Sequence, residues 1–86
     1  MYSVRLAGKL VQKQIDCLPA GIKERIEEAI EELANDPRPT GVRKMKGKLK
    51  GCWRIRAGSY RILYDIDDPA KAVVVLDVGH RREIYR

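Results

Sequence analysis

The sequence predicts an α+β domain in the order β-α-α-β-β-β, a helical hairpin packed on one face of a mostly antiparallel, four-stranded twisted sheet. Three observations carry that reading. Apolar residues recur at helical spacing between Ala7 and Leu33. The stretch WRIRAGSYRILY, from Trp53 to Tyr64, alternates apolar and basic positions around a Gly58-Ser59 pair. The run Val73-Val74-Val75-Leu76 is β-branched and apolar on both faces, as a central strand requires. With 86 residues, the chain makes a single domain, residues 1–86.

Tyr2 to Leu6 alternates and reads as a short strand. Ala7, Leu10, Val11, Ile15 and Leu18 then give a first amphipathic helix. Leu18-Pro19-Ala20-Gly21 breaks it, because proline removes a donor and restricts the residue before it. A second helix is expected from Ala20 to Ala34, with Ile22, Ile26, Ile30 and Leu33 on its buried face. Asn35-Asp36-Pro37-Arg38-Pro39 ends it. Thr40 to Gly51 reads as a basic connector. Strands follow over Cys52–Ala57, Tyr60–Ile66 and Ala72–Val78, with Gly79 as a bulge or bend. Gly58-Ser59 suits a two-residue hairpin turn, and Asp67 to Lys71 a longer one.

Charge is segregated along the chain. The net charge is +6, yet Ile22 to Asp36 holds six acids against Lys23 and Arg25. Arg43 to Arg61 holds eight basic residues and no acid. Such a balance predicts an acidic flank and a basic face, and a basic face calls for a polyanion. Cys17 and Cys52 show neither metal-ligand spacing nor a disulfide framework and read as small buried thiols. No apolar run approaches the ~20 residues that span a bilayer. The first residues already read as a strand, so no leader is expected.

A two-residue turn at Gly58-Ser59 sets Ala57 opposite Tyr60, Arg56 opposite Arg61, Ile55 opposite Ile62, Arg54 opposite Leu63 and Trp53 opposite Tyr64. Trp53, Ile55, Tyr60, Ile62 and Tyr64 then form a core under the helices, and Arg54, Arg56 and Arg61 share the other face. Like charges directly opposite destabilise a sheet, and departures from local rules concentrate at functional sites. The competing reading is a solvated face whose arginines pair with Asp65 and Asp77. Past Gly79 come His80, Arg81, Arg82 and Tyr85, an imidazole, two guanidiniums and a phenol. An aromatic beside arginines suits stacking on an unpaired base.

Three segments together, the helix ending NDPRP, the stretch KMKGKLKGCWRIRAGSYRILYDIDD and the end VLDVGHRREIYR, resemble the RelE/ParE superfamily of toxins from toxin–antitoxin pairs. The resemblance covers nearly the whole chain. Its RelE branch implies a cytoplasmic, ribosome-dependent endoribonuclease that cuts messenger RNA in the A site without metal or cofactor. It also implies a RelB-like antitoxin as partner. Matched position by position, the family's catalytic set falls on Arg54, Arg56, Arg61, Arg81 and Tyr85, and the basic residue before the connector glycine on Lys46. Lys44, Lys48, Lys50 and Arg82 extend the basic surface expected to hold RNA. Relatives often carry lysines where this chain has Arg54 and Arg56. Arginine does not give up its proton, so proton transfer is expected to fall elsewhere, with His80 as the candidate. Two alternatives stay open, a ParE-like poison of DNA gyrase and a non-catalytic RNA- or ribosome-binding module.

Overall fold

The computed structural model describes residues 1–44 and 52–80. Its elements are β1 (Ser3–Leu6), α1 (Lys9–Asp16), α2 (Ala20–Glu32), β2 (Arg43–Lys44), β3 (Trp53–Ala57), β4 (Tyr60–Asp67) and β5 (Ala72–His80). Among the described residues the sheet has five strands, in the order β1-β5-β4-β3-β2. β1 runs parallel to β5, and the remaining neighbours are antiparallel. The α+β class and the helical pair on one face are as expected; the strand count is not. The additional strand, β2, lies inside the basic connector. Two residues are too short for alternation to reveal, and only pairing with β3 makes them a strand.

The β3–β4 register is the one the two-residue turn demands, from Trp53 opposite Tyr64 to Ala57 opposite Tyr60. Gly58 has φ +63°, and Ser59 is not among the residues with positive φ, which gives the type II′ pattern. A side chain at Gly58 would be strained in that conformation. The hairpin's inner face supplies Ile55, Ile62 and Tyr64 to the core, with Trp53 and Tyr60 packed against it. Val11 and Ile15 of α1, Ile26 of α2 and Leu33 just beyond it close over them. Leu10 does not join this face and is 70% exposed, being about 100° around the helix from Val11. Cys17 is also exposed, since it caps α1 on the flank away from Val11 and Ile15. Cys52 is half-buried, and burial pushes its thiol pKa up.

β5 carries a second correction. Leu63 pairs with Asp77 while the next residue, Tyr64, pairs with Val75, so Leu76 is an extra residue in the ladder. Gly79 does not interrupt the strand and pairs with Arg61. The bulge reverses the alternation partway along β5. Val73, Val75 and Val78 therefore all reach the core despite their uneven spacing.

The loop after α2 is fastened from two sides. The buried Tyr64 hydroxyl donates to the Pro37 carbonyl at 2.7 Å. Arg38 donates two hydrogen bonds to Asp68, at 2.9 and 3.3 Å, and the Tyr2 hydroxyl donates to the same carboxylate. Arg38 also stacks 5.0 Å from the Trp53 ring centre, and Lys44 sits 5.6 Å from it.

Tyr64→Phe strands the buried Pro37 carbonyl and is expected to cost about 1–3 kcal/mol in urea unfolding. The hydrogen bonds from Arg38 and Tyr2 hold the Asp68 carboxyl below its ordinary pKa. A carboxyl depressed in the folded state stabilises the fold above its unfolded pKa and loses that effect as pH falls through the folded value. Asp68→Asn should therefore flatten the acid side of a plot of thermal midpoint against pH.

Candidate functional site

The face of the sheet away from the helices is built from three strands. Alternation places Arg54 and Arg56 of β3 outward, between the inward Trp53, Ile55 and Ala57. The β3–β4 register puts Arg56 directly opposite Arg61. On the other side of β3, the pairing of Arg43 with Arg54 brings β2 into the same face. Four guanidiniums thus share one surface: Arg43, Arg54, Arg56 and Arg61.

Their environments differ. Arg43 and Arg56 are exposed, whereas Arg61 is 4% exposed. Arg61 stands opposite Gly79, which adds no side chain beside it. A buried guanidinium keeps its charge, so Arg61 is a fixed cation in a partly dry setting. The Arg54 guanidinium has its pKa lowered by burial first, and then by the positive charges of Arg43 and Arg56. Burial is the larger cause, and the neighbouring cations add to it. A recess of about 330 Å³ opens between Gly41, Arg43, Arg54 and Arg56. Asp65 and Asp77 lie on the same face, paired with Val74 and Leu63. The ion pairs seen between described residues, Lys23–Asp16 and Arg38–Asp68, lie elsewhere.

Two expected site residues are not on this face. Tyr60 pairs with His80, and Tyr60 packs on the helix-side core, so His80 lies on that side too. The two rings meet edge-on, 5.6 Å between centroids at 81°. With Gln14, Cys17 and Leu18 they line a separate recess on the helix side. The cause is the bulge at Leu76; without it, alternation from Val75 would have sent His80 outward with the arginines. Lys44 pairs with Trp53 and stands over its ring, one position out of step with Arg43. Lys46, Lys48, Lys50, Arg81, Arg82 and Tyr85 lie outside the described residues. Arg43, by contrast, joins the cluster without having been singled out in the sequence. It sits in the basic tract, but nothing local marks it as part of a strand.

A family model described as the ParE toxin of the type II toxin–antitoxin system parDE matches residues 5–85. Toxin RelG of Mycobacterium tuberculosis is 36% identical over 86 residues, covering 99% of this chain and 97% of that protein. The chain belongs to the RelE/ParE superfamily of type II toxin–antitoxin toxins. Solved structures agree with the fold of this toxin. A chain of the RelBE2 toxin–antitoxin complex of M. tuberculosis superposes with a TM-score of 0.81 at 33% identity, covering 93% of the toxin and 91% of that chain. A chain of the archaeal RelE–RelB complex of Pyrococcus horikoshii gives 0.80 at 29% identity, with 93% and 94% covered. The isolated RelE toxin of E. coli gives 0.76 at 25% identity, with 99% and 92% covered.

If mutual repulsion shapes this face, Arg56→Gln should stabilise the isolated toxin by roughly 0.2–1 kcal/mol at low salt. The gain should shrink toward molar salt, where the screening length falls to about 3 Å. Thermal melts across a salt series give the check, and a destabilised variant would count against the repulsion.

Proposed function

We propose that this toxin is a ribosome-dependent endoribonuclease that cuts messenger RNA in the A site, without metal or cofactor. The observation that carries the reading is the convergence of Arg54, Arg56 and Arg61 on one face of the sheet, with Arg56 exposed and Arg61 buried. Three fixed cations side by side suit a substrate whose negative charge grows during reaction.

The chemistry follows from the substrate. The 2′-hydroxyl of the nucleotide before the scissile bond attacks the adjacent phosphorus. The P–O5′ bond breaks, leaving a 2′,3′-cyclic phosphate and a free 5′-hydroxyl. One proton leaves the 2′-oxygen and one reaches the 5′-oxygen. In between, phosphorus is pentacoordinate and carries two negative charges. Arg61 is assigned to those oxygens, since its guanidinium is already largely out of water before substrate arrives. Arg56, directly across from it, and Arg54 add charge and planar hydrogen-bonding forks. Arg81 joins them by its match to the family motif.

Proton transfer is assigned to Tyr85, which falls on the family's C-terminal tyrosine. His80 faces the helices and is left out of the proton path. Lys46, Lys48, Lys50 and Arg82 are proposed to grip RNA phosphates around the site. The ribosome contributes in-line geometry by bending the messenger, a positioning effect. A RelB-like antitoxin is proposed as the protein partner, as in the RelB–RelE complexes of similar fold.

Purified toxin added to ribosomes carrying a defined messenger should generate new 3′ ends within the A-site codon, with cyclic-phosphate termini. Arg61→Ala should lower that rate by about 100-fold or more while the circular-dichroism spectrum is retained. Undiminished cleavage by a folded Arg61→Ala protein refutes the assignment. Broken DNA with intact messages would instead favour the gyrase reading, and protected, uncut RNA the binding-module reading.

A further inference from the structure

The arginine face extends past the residues needed at a single phosphorus atom. Arg43 reaches it through β2, whose ladder among the described residues is Arg43 against Arg54 and Lys44 against Trp53. Strands lie about 4.8 Å apart, so the backbones of Arg43 and Arg61 are separated by two strand spacings, roughly 10 Å. They are further offset along the strands, since Arg43 aligns with Arg54 and Arg61 with Arg56. Two groups that far apart serve neighbouring anions more readily than one. Between them the cations form a continuous bent track, across from Arg43 to Arg54, along β3 to Arg56, and across to Arg61. Its outer end is a concavity of about 330 Å³, lined by Gly41, Arg43, Arg54 and Arg56. Gly41 adds no side chain there and holds φ +91°, a conformation other residues adopt only with strain.

We infer that Arg43, with Arg54 and Arg56, forms a second phosphate subsite that holds the messenger linkage next to the scissile one. The inference rests on the ribonuclease reading above and names a contact within it. A charged track that follows a backbone is how single strands are held without sequence readout. An anion seated between Arg43, Arg54 and Arg56 would offset the like charges that the pairing brings together. Among the described residues that line the subsite none is aromatic. Its contribution is to register the strand so that the scissile phosphate falls at Arg61.

The test uses the full chain and ribosomes carrying a messenger whose A-site sugars are 2′-O-methylated, which blocks attack. Arg43→Ala should weaken toxin binding by roughly tenfold, the scale of a lost charge-assisted contact. It should also reduce the slope of log affinity against log salt by about 0.7, the share of one single-strand phosphate. Arg43→Lys should restore the salt slope and part of the affinity. Replacing the phosphate beside the scissile one by an uncharged methylphosphonate should cost the wild type more than it costs Arg43→Ala, by about the tenfold that Arg43 contributes. With cleavable messenger, the loss should appear in the toxin concentration for half-maximal cutting more than in the maximal rate.

Equal binding by wild type and a folded Arg43→Ala variant overturns the subsite. So does a loss that adds fully to the methylphosphonate effect, because Arg43 would then touch other RNA. A variant with undiminished ribosome binding but weakened grip on a glutamate-rich antitoxin segment would assign the recess to protein, and that too overturns the proposal. A wild type that binds programmed ribosomes with the expected coupling and yields no new 3′ ends refutes the nuclease reading and leaves the subsite standing.

Discussion

The two-residue turn at Gly58-Ser59 constrains everything on both faces of this sheet. The side-chain period of a strand is two, so a slip of one residue between β3 and β4 would exchange their inner and outer sets. Ile55 and Trp53 would then face water, and Arg54 and Arg56 would be driven under the helices. Burying those cations without partners is far more costly than the few tenths of a kcal/mol at stake in most turns. The positive φ at Gly58 closes the loop at the one length that keeps Arg56 against Arg61.

That register sets stability against function on the same residues. Inward, the hairpin contributes Ile55, Ile62 and Tyr64 to the core. Outward, it places like charges opposite one another, which weakens the isolated sheet. The compensation is spread elsewhere. Tyr64 anchors the Pro37 carbonyl from inside, and the Asp68 carboxylate draws together Arg38 and Tyr2 at the opposite end of β4. Asp68 is thus committed to holding a loop, while on the outer face four arginines outnumber Asp65 and Asp77. A surface made that way is pre-set for an anion and needs little rearrangement to receive one.

Arginine rather than lysine at positions 54 and 56 also shapes the proposed reaction. A guanidinium holds its proton even when burial and neighbouring cations press on it, as they do at Arg54. These side chains therefore supply charge and planar hydrogen bonding, and any proton must move through another group. The half-turned β5, which carries His80 to the helix side, narrows the choice of that group.

The class, both helices and the β3–β4 pairing down to individual residues were legible before any coordinates. The reason is that these features are local: helical spacing, one glycine-containing turn and strict alternation each act within a dozen residues. The convergence of Arg54, Arg56 and Arg61 was legible for the same reason. The rest of the candidate site was set by contacts between distant parts of the chain. β2 exists because Arg43 and Lys44 meet β3, and no two-residue pattern announces such a meeting. The bulge at Leu76 settles which face His80 takes, and it is chosen by the need to seat Val73, Val75 and Val78 together in one core. Packing against distant partners, which has no signature within a short window of sequence, made those choices.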